Sequence, residues 1–285
     1  QSYYDSAWRG LKRAENDFGI SIDLIEAESE AAYKGTIRNL AERRYNLIIA
    51  MGFKMKEALK AVSKEYPEQN FLLIDEKLNS ENVISITFKE EEGSYLAGII
   101  AARTTENKKI AFIGGMKSDL IEKFESGFIA GAKKINENLK IFSKYTNSFD
   151  DPEKGKEIAL NLYNDGADVI YHASGACGIG IIEAAKKKNL YVIGVDSPQY
   201  HLAPENVLTS VVKRVDNEVY NIIQNTYNGN FTGKNKSLGL NSNGVSIYRE
   251  QAEKMLNDEL LNELDIYREK IINKEISVPK RLEDL

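Results

Sequence analysis

The sequence predicts an α/β fold of two lobes, each a mostly parallel sheet flanked by helices. Apolar segments of strand length alternate with amphipathic segments of helix length through most of the chain, which is typical of parallel α/β architecture. The chain has 285 residues, 42% of them hydrophobic, and a single core usually stops growing at roughly 250 residues. The chain therefore has enough apolar material for two cores.

The strands and helices are predicted from short apolar runs and from helical periodicity. The predicted strands cover residues 21–27, 46–52, 70–75, 83–88, 109–115, 141–147, 168–174, 191–196 and 207–212. The predicted helices cover residues 6–18, 31–44, 54–66, 91–106, 119–136, 152–165, 178–188 and 214–227. Residues 231–248 then predict a short strand pair, and residues 250–273 predict one long helix packed on the first lobe.

These elements group into two lobes. The N-terminal lobe is expected to contain residues 1–107 plus about 214–285, and the C-terminal lobe residues 108–213, with a ligand cleft and hinge between them. The first helix has no strand before it, although each helix of this architecture packs on the sheet of its preceding strand. We therefore expect that a first strand is missing from the chain, which begins without Met, as in a processed secreted or lipid-anchored protein.

Composition and motifs exclude several function classes. With 38 basic and 43 acidic residues, the net charge is −5 and the charges are interspersed, which argues against a nucleic-acid binder, and no apolar run is long enough to span a bilayer. The single cysteine, Cys177, excludes an internal disulfide. The two histidines, His172 and His201, form no cluster with metal-ligand spacing, and neither a hydrolase elbow nor a Walker loop occurs. We expect no cofactor and no metal.

Unusual residues collect at the carboxyl ends of predicted strands, where open α/β sheets bind ligands. They are Met51-Gly52-Phe53, Asp75, Gly114-Gly115-Met116, Gly175-Ala176-Cys177-Gly178 and Asp196. Two facing sheets would bring these ends to one cleft, the usual place for a small-molecule site. Alternatively, Asp75 and Asp196 only cap helices or turns. Cys177 precedes a predicted helix, and we interpret it as a pocket-lining thiol because no base accompanies it.

Blocks of sequence along nearly the whole chain match a known family. They are SYYDSAWRGL, MGFKMKEAL, YPEQNFLLID, EEGSYLAGIIAA, KIAFIGGMKSDLIEKFESGFIAGAKKIN, GADVIYHASGACGIGIIEAAK, YVIGVDSPQY, NVLTSVVKRVD and KIINKEISVP. In this order the sequence resembles the basic membrane protein family of bacterial substrate-binding lipoproteins, which includes purine nucleoside receptors of ABC transporters. The resemblance implies a two-lobed fold like the type I periplasmic binding proteins, a lipid anchor on the outer face of the cytoplasmic membrane, an ABC permease partner and a monomer.

The resemblance also implies roles for individual residues. Tyr3 matches the family aromatic that stacks on the base, while Tyr4 replaces an asparagine and so removes an amide. Asp75 and Asp196 match acids that accept hydrogen bonds from ribose hydroxyls, and Lys213 matches a lysine that reaches the sugar. Without the family, Lys213 is equally well interpreted as a hinge residue paired with an acid.

The remaining predicted ligand contacts lie near glycine-rich turns. The turn that reads G-G-T-G-x-G in relatives corresponds to Gly175, Cys177 and Gly178, with Ile179 at a position that can cover the base. Phe53 and Met116 are predicted pocket walls, whereas Trp8 is predicted to be core.

The leading functional hypothesis is that the protein binds a nucleoside, and specifically a purine ribonucleoside. The two lobes would close on the ligand, and the protein would deliver it to a permease. Other binding hypotheses are a different ribosyl or ribityl ligand such as riboflavin, or a sensor role. A nucleoside-processing enzyme that uses Asp75 or Asp196 as a base would need a metal or general acid that the sequence does not offer.

Overall fold

A computed structural model describes residues 2–27 and 29–285, and they alternate between helices and strands. The helices are α1 (Ser2–Phe18), α2 (Tyr33–Glu42), α3 (Lys56–Glu65), α4 (Glu90–Thr104), α5 (Asp119–Ile135), α6 (Pro152–Asn164), α7 (Cys177–Lys188), α8 (Val215–Tyr227), α9 (Arg249–Met255) and α10 (Asp258–Ile272). The strands are β1 (Ile48–Met51), β2 (Phe71–Ile74), β3 (Val83–Phe88), β4 (Lys109–Gly114), β5 (Lys140–Tyr145), β6 (Val169–Ala173), β7 (Tyr191–Asp196), β8 (Val207–Lys213), β9 (Lys234–Leu238) and β10 (Val245–Ile247).

The chain divides into two compact units. The smaller unit comprises Tyr4–Phe88 and Val215–Leu238, and the larger unit comprises Lys89–Arg214 and Gly239–Leu285 together with Tyr3. The sheet of the smaller unit has the order β1-β2-β3-β9, and all its strand pairs are parallel. The sheet of the larger unit has the order β10-β8-β7-β6-β4-β5, and only the β10–β8 pair is antiparallel. Each unit therefore has the mostly parallel sheet that the alternating sequence predicts.

The boundaries of these units differ from the predicted lobes. Helix α4 packs on α5, and α10 packs on α4, so both helices belong to the larger unit instead of the N-terminal lobe. The predicted strand pair also separates, because β9 extends the sheet of the smaller unit beside β3 whereas β10 pairs with β8. Strand partners distant in the chain decide these assignments.

Three other predictions from the sequence are wrong. Residues 21–27 form no strand, and no described strand pairs with them. Leu24 accordingly stays 69% exposed. The predicted helix over residues 250–273 is two helices, because the Asn257 side chain accepts a hydrogen bond from Leu260 N at 2.9 Å and caps a new helix there. Trp8, predicted to be core, is 39% exposed, with Lys12 Nζ 5.3 Å from the centre of its ring.

Helix α4 is the central helix of the larger unit. Its residues from Glu90 to Ala101 are all buried, so it is enclosed instead of amphipathic. Glycines bring its backbone against that of α5: a Cβ on Gly98 would lie 2.1 Å from Phe128 O, and one on Gly131 would lie 2.0 Å from Tyr95 O. The two helices therefore pack at a separation that only glycine permits.

We predict that Gly98→Ala destabilises the protein, because the added methyl group must push α4 from α5, at a cost of about 1–3 kcal/mol. Gly35→Ala in α2 is the matched control, since a Cβ there would meet nothing within 4 Å, and it should stabilise the protein by about 0.5–1 kcal/mol. Urea denaturation of both variants measures the difference. Equal changes in the two would contradict the close packing.

Glu91 makes the stability of the larger unit depend on pH. Burial, reinforced by the charge of Glu90 and opposed by Lys123 and Lys280, raises the pKa of the Glu91 carboxyl from 4.5 to about 7. The folded protein therefore binds a proton between these two values that the unfolded chain releases, so this residue's contribution to stability falls as pH rises through 7.

We predict that Glu91→Gln removes this pH dependence. Between pH 4.5 and pH 8, ionisation of Glu91 should lower the free energy of unfolding of wild type by up to about 3 kcal/mol, and the variant should not show this loss. Denaturant unfolding of both proteins at a series of pH values makes the test. The difference between their free energies of unfolding, plotted against pH, gives the contribution of Glu91. A constant difference across the series would show that Glu91 ionises normally.

Candidate functional site

The larger unit presents several predicted site residues at one edge of its sheet. Since β8, β7, β6 and β4 are neighbours and parallel, their carboxyl ends lie side by side. Lys213 ends β8, Asp196 ends β7, Gly175 follows β6 and Met116 follows β4. Strand order thus brings together residues up to about 100 positions apart in the chain.

Lys213 is held in a buried, charged environment. Its side chain is 2% exposed, and Nζ lies 3.1 Å from Glu90 Oε1. Nζ also lies 5.3 Å from the centre of the Tyr3 ring, within the range of a cation–π contact. The register pairs Asp196 with Val212, so the predicted sugar-binding acid lies beside the end of the lysine's strand.

Asp75 and Asp196 share an unusual backbone conformation. Their φ values are 71° and 65°, and they are the two acids among the described non-glycine residues with positive φ. Asp75 directly follows β2, and a three-residue turn is centred on Asp196, because Ser197 N donates to Val195 O at 2.8 Å. Such conformations cost about 1–3 kcal/mol and cluster at functional sites. Both predicted acids are thus held at carboxyl ends of strands despite this cost.

The glycine turn after β6 is shaped by contacts that exclude a side chain. Gly175 has a φ of 60°, and a Cβ there would lie 2.9 Å from Phe149 O. A Cβ on Gly178 would lie 2.1 Å from the His172 ring, and one on Gly115 would lie 2.2 Å from the Phe149 ring. The half-buried Phe149 ring therefore packs on Gly115, directly after β4, and next to the turn after β6.

A buried hydrogen-bond network supports this turn from below. Gln199 Oε1 lies 3.1 Å from His172 Nε2 and accepts from Val195 N at 2.9 Å. Because this oxygen only accepts, Nε2 carries the proton, and Nδ1 accepts from Ser174 Oγ at 3.3 Å. Burial lowers the pKa of His172 to about 4, so the ring is neutral at pH 7. His172 thus links β6 to β7 through Gln199.

Cys177 differs in exposure from Ile179 and Met116, the other predicted contacts at this edge. Cys177 is fully buried, and its Sγ donates to Ser148 O and accepts from Asp151 N, both at 3.4 Å. In this structure the thiol holds the loop after β5. Ile179 and Met116 are 38% and 37% exposed.

The smaller unit has its own set of predicted residues. Gly52 N donates to Ile74 O at 3.1 Å, so the residues that follow β1 and β2 lie next to each other at the carboxyl edge. Phe53 follows β1 and is half-buried, while Asp75 follows β2 and is 9% exposed. Tyr4, on α1, is 53% exposed.

Sequence reasoning missed three features of the site. Phe149 lies in a loop without a recognisable motif, and Glu90 begins a run of three glutamates that resembles a solvated helix start. Gln199 is a polar residue of the segment after β7, where its hydrogen bonds depend on the fold. One sequence signal could have pointed to Glu90. It directly precedes the family block EEGSYLAGIIAA, and a charged run inside a buried helix needs partners.

Two absences hold for residues 2–27 and 29–285. No group of three or more His, Cys, Asp or Glu side chains is arranged to hold a metal ion. No helix there is long and apolar enough to cross a membrane.

Comparison with known proteins gives consistent matches over the whole chain. The family model described as ABC transporter substrate-binding protein PnrA-like (Bmp) matches residues 1–282. Basic membrane protein A of Borreliella afzelii is 38% identical over 288 residues, 98% of this chain and 87% of that protein. The ABC transporter nucleoside-binding protein BmpA of Lactococcus lactis subsp. cremoris is 33% identical over 304 residues, 99% of this chain and 86% of that protein.

A solved structure gives the same result for the fold. The solute-binding protein of an ABC transporter system from Aeropyrum pernix K1 matches with a TM-score of 0.91 at 27% identity, covering 99% of this chain and 90% of that one. The predicted type I periplasmic-binding-protein-like fold and the predicted resemblance are confirmed. A substrate-binding component of this kind has a small-molecule ligand and a membrane permease as partner. The chain belongs to the Bmp family of PnrA-like ABC transporter substrate-binding proteins.

Proposed function

We propose that this protein binds a nucleoside, and specifically a purine ribonucleoside, for uptake through an ABC permease. In this proposal both units contribute to one ligand site and close on the ligand. The observation that carries the proposal is the strained backbone of Asp75 and Asp196, each at the carboxyl end of a parallel strand. The nucleoside-binding relative from Lactococcus lactis supports the ligand class.

The chemistry of the two edges suits a sugar and a flat base. Carboxylates accept strong hydrogen bonds from hydroxyl groups, which suits Asp75 and Asp196 to a ribose, and the Lys213 ammonium adds a donor. Aromatic rings stack on bases at about 1–3 kcal/mol each. Tyr3 and Phe149 are the rings that we propose for this contact, with Phe53 as a further wall.

Further parts of the proposal follow from the family. We propose that the protein acts outside the cytoplasmic membrane, lipid-anchored and monomeric, and that it releases its ligand chemically unchanged. The buried His172 supports the last point, since its ring is neutral at pH 7 and its one N–H group is directed at Gln199.

We predict that adenosine, guanosine or inosine raises the melting temperature of the purified protein. A ligand that binds only the folded state at 100 times its Kd adds about 2.7 kcal/mol, a rise of roughly 5 °C or more for a chain of this size. Thermal denaturation with nucleosides, free bases, ribose and riboflavin makes the test, after denaturing extraction and mass spectrometry have checked for copurified ligand. A rise with riboflavin alone would replace the nucleoside by a ribityl ligand.

We further predict that Asp75→Asn and Asp196→Asn each weaken nucleoside binding about 10- to 100-fold. Asparagine tolerates the positive φ, so the variants lose a charged acceptor whose hydrogen bond is worth about 1.5–3 kcal/mol. Asp258→Asn, an exposed position in α10, is the matched control and should leave the Kd unchanged. Isothermal titration calorimetry measures all three. Wild-type affinity in both site variants would refute the sugar contacts.

A further inference from the structure

The carboxylate of Glu90 lies between two ammonium groups inside the larger unit. Glu90 Oε1 is 3.1 Å from Lys213 Nζ, and Glu90 Oε2 accepts a hydrogen bond from Lys123 Nζ at 3.0 Å. The Glu90 side chain is fully buried, and that of Lys123 is 24% exposed. The three side chains, which we call the Glu90 cluster, carry a formal net charge of +1.

The position of Glu90 in α4 places its carboxylate in a favourable electrostatic environment. Glu90 is the first residue of α4, where the positive end of the helix dipole stabilises an anion. On the lysine side, burial alone would lower the pKa of Lys123, but the charge of Glu90 and its hydrogen bond raise it overall. Removing the carboxylate would leave the buried Lys213 ammonium and the part-buried Lys123 ammonium facing each other, which is costly.

The cluster contains one lysine at the carboxyl edge of the sheet, where the predicted site residues lie, and one lysine away from that edge. Lys213 ends β8, beside the strand that ends in Asp196, whereas Lys123 lies on α5. Because a lysine side chain has four flexible bonds, an ammonium at a binding site needs a fixed partner to hold one geometry.

We propose that Glu90 is a positioning residue for ligand recognition, fixing the Lys213 ammonium where it donates to a hydroxyl of the ligand sugar while Glu90 itself makes no ligand contact. The inference rests on the proposed nucleoside function. It assigns Glu90 a role in sugar selectivity, and it assigns Lys123 only the balancing of charge.

The test compares four proteins, of which wild type and the double variant share the +1 charge of the cluster and the two single lysine variants have a cluster charge of zero. Lys123→Met removes the balancing partner and leaves the Lys213–Glu90 pair. The double variant Glu90→Gln/Lys123→Met removes the carboxylate but keeps the +1 charge of wild type, so it avoids two facing ammonium groups and should fold. Lys213→Met shows the limit in which the ammonium is absent.

The first measurement is sugar selectivity, the ratio of Kd for the 2′- or 3′-deoxynucleoside to Kd for adenosine or guanosine, whichever binds tighter. Wild type and Lys123→Met should keep the same ratio, at least tenfold for one of the two deoxy analogues. In the double variant that ratio should fall at least fivefold, toward that of Lys213→Met. A wild-type ratio in the double variant would overturn the inference, because a merely structural role of Glu90 would weaken both ligands alike.

The second measurement needs no nucleoside. Acetylation of Lys213 in the ligand-free protein, followed by mass spectrometry, should be at least tenfold faster in the double variant than in Lys123→Met. If wild type binds no nucleoside, the proposed function fails, and this rate alone then decides whether Glu90 holds Lys213. Equal rates would overturn that hold, and faster acetylation would establish it independently of the ligand.

Discussion

The buried ion pair between Glu90 and Lys213 is the contact on which the larger unit depends. Burying a carboxylate is tolerated only when cations and hydrogen-bond donors replace water, so the start of α4 must lie where Lys213 and Lys123 can both reach it. Helix α4 then runs enclosed through the unit, and α5 and α10 pack on it. One electrostatic requirement thus places the central helix against the end of β8.

Close contacts at glycines and buried hydrogen bonds fix the rest of the carboxyl edge of this sheet. The glycines of α4 and α5 set the separation of the two helices, and Gly115 after β4 and Gly178 at the start of α7 let Phe149 and His172 pack directly on the backbone. The neutral His172 links β6 through Gln199 to β7, next to the strained turn at Asp196. Contacts of this kind restrain the edge, and a preorganised edge has a smaller entropy cost of binding.

Each difference between prediction and structure has its own physical reason. Residues 21–27 have a strand-like pattern, but a strand exists only with a neighbour, and none of the described strands pairs with them. The helix break at Asn257 depends on a local cap that amphipathic periodicity does not reveal. The contacts of Cys177 with Ser148 and Asp151 could not be predicted either, because they depend on how the loop after β5 folds onto the thiol.

The sequence by itself determined the α/β class, most strands and helices, the family, and the two acids at strand ends, because apolar periodicity and local turn residues are encoded over short stretches. Strands β3 and β7 occupy the predicted residues without change. Only the tertiary structure decided which unit contains α4, β9 and β10, and which partners surround Lys213. Those outcomes depend on contacts between residues from about 30 to about 150 positions apart, such as β10 with β8, Glu90 with Lys213 and β9 with β3, and local sequence patterns carry no information about such pairs.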